Sequence, residues 1–262
     1  MKSRREPGIS GIPQTMAGLT LHFNYYTRKC PDTPIPEHFE RFKESYYQYQ
    51  VTHMPRTPVT YADSFQEQTM IDQLLEGNKK FRETVFRQNI DHYKELVKGQ
   101  SPPVLWIGCS DSRIQTGHIT GTQAGTLFMH RNIGNMAPAN DWSLATVLEY
   151  GIKHLKVQNI VICGHSDCGA IKALDKELED AYVPNWLNNA VEAKKRVDAR
   201  IKKPSTPDEQ KERSQMIEQE NVRLQIEHLR TYPIVAKAEK DKKIQIHGMY
   251  YDLETGALTK IA

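Results

Sequence analysis

The chain has 262 residues, 38% of them hydrophobic and 26% charged, with 35 basic against 32 acidic side chains and a net charge of +3. That length suits one sizeable α/β domain with peripheral helices. The small, interleaved charge argues against nucleic acid as a partner, and the longest apolar runs, such as Ile160–Cys163, are far too short to span a membrane.

Four cysteines, Cys30, Cys109, Cys163 and Cys168, stand in a chain with no apolar signal-peptide core at its start. Reduced thiols, some of them metal ligands, are therefore expected rather than a disulfide scaffold. A cytoplasmic location follows. The basic opening Met1–Arg5 and the sparse acidic residues up to Asp32 keep a mitochondrial matrix destination as the alternative.

Residues 1–64 hold many prolines, among them Pro13, Pro31, Pro34, Pro36, Pro55 and Pro58, and little periodicity. They read as an N-terminal extension, an irregular arm with one short helix near Glu37–Tyr47. The apolar residues Leu19, Leu21, Phe23, Tyr25, Tyr26, Phe39, Tyr46 and Tyr47 should wrap the core or a neighbouring subunit, since leaving them exposed is unfavourable. Residues 65–262 read as the main domain. Ile71, Leu74, Leu75 and Phe81, then Val85, Phe86, Ile90, Tyr93 and Leu96, recur at helical spacing and predict two amphipathic helices.

Gly99 and Pro102-Pro103 stop that pattern. Val104–Ile107 reads as a buried strand, Thr126–His130 as a second and Asn159–Cys163 as a third. Trp142–His154, with Asp141 as N-cap, and Gly169–Glu179 read as the helices between and after them. Asn185–Ile201 and Glu209–Arg230 are long amphipathic helices broken apart by Pro204 and Pro207. Ile244–Tyr250 and Ala257–Ile261 close the chain as strands around a turn at Thr255-Gly256. Strands alternating with helices imply an α/β fold with a mainly parallel central sheet flanked by helices, plus the N-terminal helical arm. Sites in such sheets lie beyond the carboxyl ends of the strands.

Two motifs stand there. Cys109-Ser110-Asp111-Ser112-Arg113 follows the first strand and Gly164-His165-Ser166-Asp167-Cys168-Gly169 follows the third. His165 and Cys168 are close enough in sequence to aim at one ion from a single turn, and Cys109 would come from the neighbouring strand. Two thiolates and one imidazole make a zinc site with a vacant fourth position, the catalytic pattern rather than the closed structural one. Cys163 lies inside an apolar run and reads as core. From the residues alone, a closed structural zinc or buried thiols without metal are the alternatives.

The run Leu105–Arg113 resembles the first signature of the beta-class carbonic anhydrases, and Gly164–Gly169 resembles the second. Leu127–Asn135 and His247–Asp252 are similar to the family's connecting segment and closing strand. The resemblance extends from about Leu74 to the C-terminus. It implies a zinc lyase converting carbon dioxide reversibly to bicarbonate and a proton by zinc-hydroxide attack. It also implies zinc ligands Cys109, His165 and Cys168, a catalytic dyad of Asp111 and Arg113, and Gln100 as a substrate-binding glutamine. Gly169 matches a backbone position beside the metal, and the assembly expected is a homodimer or homotetramer. Trp106, Arg131 and Tyr150 match a non-catalytic bicarbonate site of one subgroup, which implies regulation by bicarbonate and pH. Three departures bear on rate and access: Ala170 stands where a second glycine is usual, Asp167 lies beside the thiolates, and Ile114–His118 replaces a proline and an acidic residue.

The chemistry fits the resemblance. Zinc lowers the pKa of bound water from about 15.7 towards about 7. Two thiolate ligands should leave that water less acidic than three imidazoles would, so an alkaline-shifted activity is expected. Arg113 can hold Asp111 through a bidentate charge-assisted pair; released, Asp111 could occupy the fourth zinc position and stop catalysis. Hydrolysis of another heterocumulene, carbon disulfide or carbonyl sulfide, and an inactive zinc-stabilised scaffold are the rival readings.

Overall fold

The computed structural model describes residues 69–262. The arm expected over 1–64 and its short helix lie outside the described residues. The first described elements are helix α1 (Met70–Phe81), a π-helical turn (Arg82–Phe86) and helix α2 (Ile90–Val97), matching the amphipathic pattern. Neither α1 nor α2 buries a residue among those described.

Strands β1 (Val104–Cys109), β2 (Leu127–Asn132), β3 (Asn159–His165) and β4 (Gln245–Tyr251) run parallel in the order β2-β1-β3-β4. Strand β5 (Leu258–Lys260) pairs antiparallel with β4 at the edge. The expected strands are present, and β1 and β3 run further than periodicity indicated, to Cys109 and His165. The apolar runs end before the polar ligands do, but the backbone ladder continues, since pairing needs no apolar side chain.

The register sets Leu105 beside Phe128 and Ile160. Because side chains alternate across a strand, Leu105, Ile107, Ile160 and Ile162 share one face and enter the main core. That face is covered by helices α4 (Trp142–Tyr150, followed by a π-helical turn Gly151–Leu155), α7 (Pro207–Arg230) and α8 (Pro233–Lys240). Trp106, Val161 and Cys163 point to the other face and form a smaller cluster with Met249, Tyr251 and Leu258. The remaining helices are the short α3 (Thr116–Ile119) and α5 (Gly169–Ala173), and α6 (Val183–Asp198).

Three helix expectations change. The helix expected over 169–179 ends at Ala173, and Asp175 just beyond it is bound by Arg213 and Lys194 instead of continuing the turn. Pro207, expected as a breaker, opens α7: the first helical position has no need of an N–H, and Thr206 with Glu209 forms a capping box. The helix over Pro233–Lys240 was not expected; its signal is the same, a proline at the N-terminus.

Helix α7 lies tight on β3 and β4 because two glycines admit it. A Cβ on Gly164 would stand 2.7 Å from Val222 Cγ2, and one on Gly248 would stand 2.9 Å from Val222 Cγ1. Overpacking of this kind costs about 1–3 kcal/mol. Gly164→Ala is therefore expected to lower the free energy of unfolding by that amount, read as a lower denaturant midpoint at unchanged slope; an unchanged midpoint would mean that α7 can move aside freely.

Candidate metal centre

The parallel register brings the carboxyl ends of β1 and β3 to one edge of the sheet, with Cys109 and His165 as their last residues. Between His165 and Cys168 the chain reverses through Asp167, whose φ of 60° is left-handed, a conformation that Asp tolerates better than most residues. Cys168 then caps α5. The outcome is a cluster in which one donor atom each from Cys109, His165 and Cys168 lies within 4.8 Å of the others. All three side chains are buried.

The imidazole is set for a ligand. His165 Nδ1 donates to the Ser166 carbonyl at 2.9 Å, which leaves Nε2 bare. That Nε2 is buried with no hydrogen-bond partner among the described residues. Buried polar atoms are normally paired, so an orphaned imidazole nitrogen facing two thiols fits a soft or borderline cation such as zinc.

The two thiols push each other's ionisation in opposite directions. Cys109 is drawn below the ordinary thiol range by the hydrogen bond from Cys168, then by His165 and the Gly134 N–H, against the opposing effect of burial. Cys168 is driven up by its neighbour Cys109 and by burial. A divalent cation would remove that conflict and take both as thiolates. Cys163 is different: burial pushes its thiol up to about 12, and it packs with Trp106 and Val161, as the apolar run suggested.

Asp111 and Arg113 meet as expected. Arg113 Nε donates to Asp111 Oδ1 at 2.9 Å and Nη2 to Oδ2 at 2.7 Å, and the Arg113 backbone N–H adds a third bond at 3.0 Å. These hold the carboxyl well below the usual carboxylate range. Its Oδ2 lies 3.9 Å from His165 Nε2, so the carboxylate borders the cluster. Arg113 also grips the ligand loop, through Asp167 Oδ2 at 2.7 Å and the Asp167 carbonyl at 3.0 Å. Gly169, exposed at the start of α5, would carry its Cβ into space with no described atom within 4 Å.

One expectation fails, and one residue lies apart within the chain. Trp106, Arg131 and Tyr150 are not brought together. Tyr150 lies against Phe128, with ring centroids 6.0 Å apart, on the Leu105 face, whereas alternation sends Trp106 to the other side of the sheet. Arg131 is already engaged, donating to the Cys109 carbonyl at 2.8 Å and the Asp111 carbonyl at 2.7 Å, so it clamps the loop that carries the dyad. Gln100 also stands apart. It is exposed and precedes the first residue of β1, while Cys109 ends that strand. The six residues of β1 separate the two edges by roughly 17 Å.

Other residues at the centre gave no sequence signal that chemistry could read. Gly134 donates its N–H to Cys109 Sγ at 3.4 Å, and Glu218 accepts the Cys168 N–H at 3.0 Å. In a long charged helix, Glu218 looks like any solvated acid.

The comparisons agree with this geometry. The family model described as carbonic anhydrase matches residues 104–258. A carbonic anhydrase of Synechococcus elongatus is 38% identical over 197 residues, 72% of this chain and 71% of that protein. One of Helicobacter pylori is 35% identical over 193 residues, 70% of this chain and 86% of that protein. Among solved structures, the beta-carbonic anhydrase CcaA superposes with a TM-score of 0.68 at 30% identity, covering 74% of this chain and 96% of that one. A tetrameric beta-carbonic anhydrase of Sordaria macrospora gives 0.66 at 33% identity, covering 73% and 96%. The chain belongs to the carbonic anhydrase family, in its beta class.

Proposed function

We propose that the protein hydrates carbon dioxide reversibly to bicarbonate and a proton, with zinc held by Cys109, His165 and Cys168. The observation that carries this reading is the open donor set: two thiols and a bare, buried imidazole nitrogen converge, with the Asp111 carboxylate beside them. A closed structural site would offer a fourth thiol or imidazole; among the described residues the cluster has three members.

Zinc, when bound there, supplies a Lewis acid that brings the pKa of water from about 15.7 towards about 7. The chain's own residues do the rest. Asp111 Oδ2 accepts a hydrogen bond from the attacking water and so fixes which lone pair faces the substrate carbon. Arg113, held by both Asp111 and Asp167, keeps that carboxylate ionised and aimed. Arg131 fixes the backbone on either side of Ser110. The open space at Gly169 leaves room beside Cys168 for a small substrate.

Stopped-flow hydration of carbon dioxide, run with a zinc count per chain, tests the reading. One zinc per chain and rapid hydration are expected. Zinc without hydration would support the scaffold reading, and turnover of carbonyl sulfide or carbon disulfide in place of carbon dioxide would reassign the substrate.

We also infer a homo-oligomer. Met70, Leu75 and Val97 on α1 and α2 are 66%, 66% and 88% exposed, more apolar surface than a lone subunit usually leaves in water. The Sordaria macrospora relative is tetrameric. Light scattering of the full chain should give a dimer or tetramer; a monomer that persists at high concentration would overturn the inference.

A further inference from the structure

Helix α7 carries polar residues where an apolar seam is the rule. Ser214, Glu218, Asn221 and Gln225 recur at i, i+4, i+7 and i+11, the spacing of one helix face. Glu218, Asn221 and Gln225 are 2%, 1% and 0% exposed. Groups buried so deeply are tolerated only when their hydrogen bonds are met. Here the partners are the Cys168 loop and the segment after β2 that holds Gly134 and Ala137.

Glu218 Oε1 accepts the Cys168 backbone N–H at 3.0 Å and the Ser214 hydroxyl at 3.4 Å, while Oε2 accepts the Tyr250 hydroxyl at 2.6 Å. Asn221 Nδ2 donates to the Gly134 carbonyl at 3.1 Å, and the N–H of that same Gly134 donates to Cys109 Sγ. Gln225 fixes the orientation of the Asn221 amide: its Nε2 donates to Asn221 Oδ1 at 2.8 Å, and its Oε1 accepts the Ala137 N–H at 2.8 Å. Between them Val222, wedged against Gly164 and Gly248, holds the helix at a fixed height over the sheet.

We propose that α7 braces the metal centre, with Glu218 and Asn221 as positioning residues: Glu218 holds the Cys168 loop directly, and Asn221 holds the Gly134 turn whose N–H bonds Cys109 Sγ. The proposal rests on the assignment of Cys109, His165 and Cys168 as zinc ligands. The three donors come from the end of β1 and from the turn after β3, so they stay converged on one point only if something outside the set fixes both places. One rigid helix that bonds the Cys168 loop directly and reaches Cys109 Sγ through Gly134 does this. Neither side chain touches the substrate, so their effect falls on metal retention.

The test is the rate of zinc release to a strong chelator from the zinc-loaded full chain, read beside the thiolate-to-cobalt charge-transfer band of the cobalt-substituted protein. Glu218→Leu and Asn221→Ala should each release zinc about 10–100-fold faster than wild type, the usual effect of losing a group that orients a metal ligand. Each should also shift the cobalt band. Glu218→Gln, whose carbonyl oxygen can still accept the Cys168 N–H, should restore near-wild-type release. Arg213→Met is the control. Arg213 is buried on the same helix but bonds Asp175 and Asp198, so its loss should lower the thermal midpoint and leave zinc release unchanged. Wild-type release from both Glu218→Leu and Asn221→Ala would overturn the brace, as would equal acceleration in Arg213→Met. If Glu218→Leu does not fold, Asn221→Ala decides by the same two outcomes. A wild-type chain that retains no zinc overturns the ligand assignment first and the brace with it, which separates the two failures.

Discussion

Cys109→Ser is expected to lose zinc and carbon dioxide hydration together. Cys109 is one of only two soft donors in the cluster, and a serine hydroxyl neither ionises near neutral pH nor binds zinc as a thiolate does. The position is fixed as the last residue of β1. Cys163 cannot serve, since burial holds it as a thiol and it packs with Trp106. Zinc per chain should fall towards zero and hydration to the uncatalysed background. The loss should also appear in stability. A ligand at a hundred times its dissociation constant adds about 2.7 kcal/mol to the folded state, so added zinc should raise the melting temperature of wild type and not of Cys109→Ser. Full zinc occupancy in the variant would refute the assignment of this ligand.

Asp111→Asn and Arg113→Ala should separate metal from turnover. Neither residue belongs to the donor cluster, so zinc should stay at one per chain. An amide cannot carry the negative charge that Asp111 presents 3.9 Å from His165 Nε2, and it accepts a hydrogen bond from the attacking water poorly. Removing a positioned acid–base group typically costs about 10²–10⁴-fold in rate, and a loss in that range is expected for Asp111→Asn. Arg113→Ala acts through the same carboxylate. It removes the two side-chain bonds that aim Asp111 and the two that tie Arg113 to Asp167, and frees the carboxylate to move into the space before Nε2. Rates near wild type in both variants, with zinc retained, would remove the dyad from the mechanism.

Much of the site could be read before the fold. Cys109, Asp111 and Arg113 are confined to a few residues after an apolar run, and His165 with Cys168 to a few residues after another. Chemistry that local survives in a linear reading, because a strand end and a single turn leave few places for the side chains to go. The same locality made the strand positions legible, since four-residue apolar runs between turn signals have few other uses. The helix ends were less legible. Asp175 leaves its helix for Arg213, a partner far away in the sequence, and nothing near it announces that.

The bicarbonate pocket shows where residue matching stops. Trp106 and Tyr150 carry suitable groups, but whether they meet depends on which sheet face each one takes. A strand's period of two makes that choice absolute: Trp106 goes to one face and Leu105, with Phe128 and Tyr150, to the other.

By itself the sequence pointed to the three candidate donors, to the Asp111–Arg113 pair and to the alternation of strands with helices, because each motif is set by residues close together in the chain. Tertiary structure alone decided that Arg131 clamps the dyad loop, that His165 Nε2 is left bare, and that Glu218 and Asn221 of a distant helix bond Cys168 and Gly134. Those outcomes depend on helix height and sheet register. Both are fixed by long-range packing, here by Val222 closing on Gly164 and Gly248, and such packing leaves no trace in local spacing.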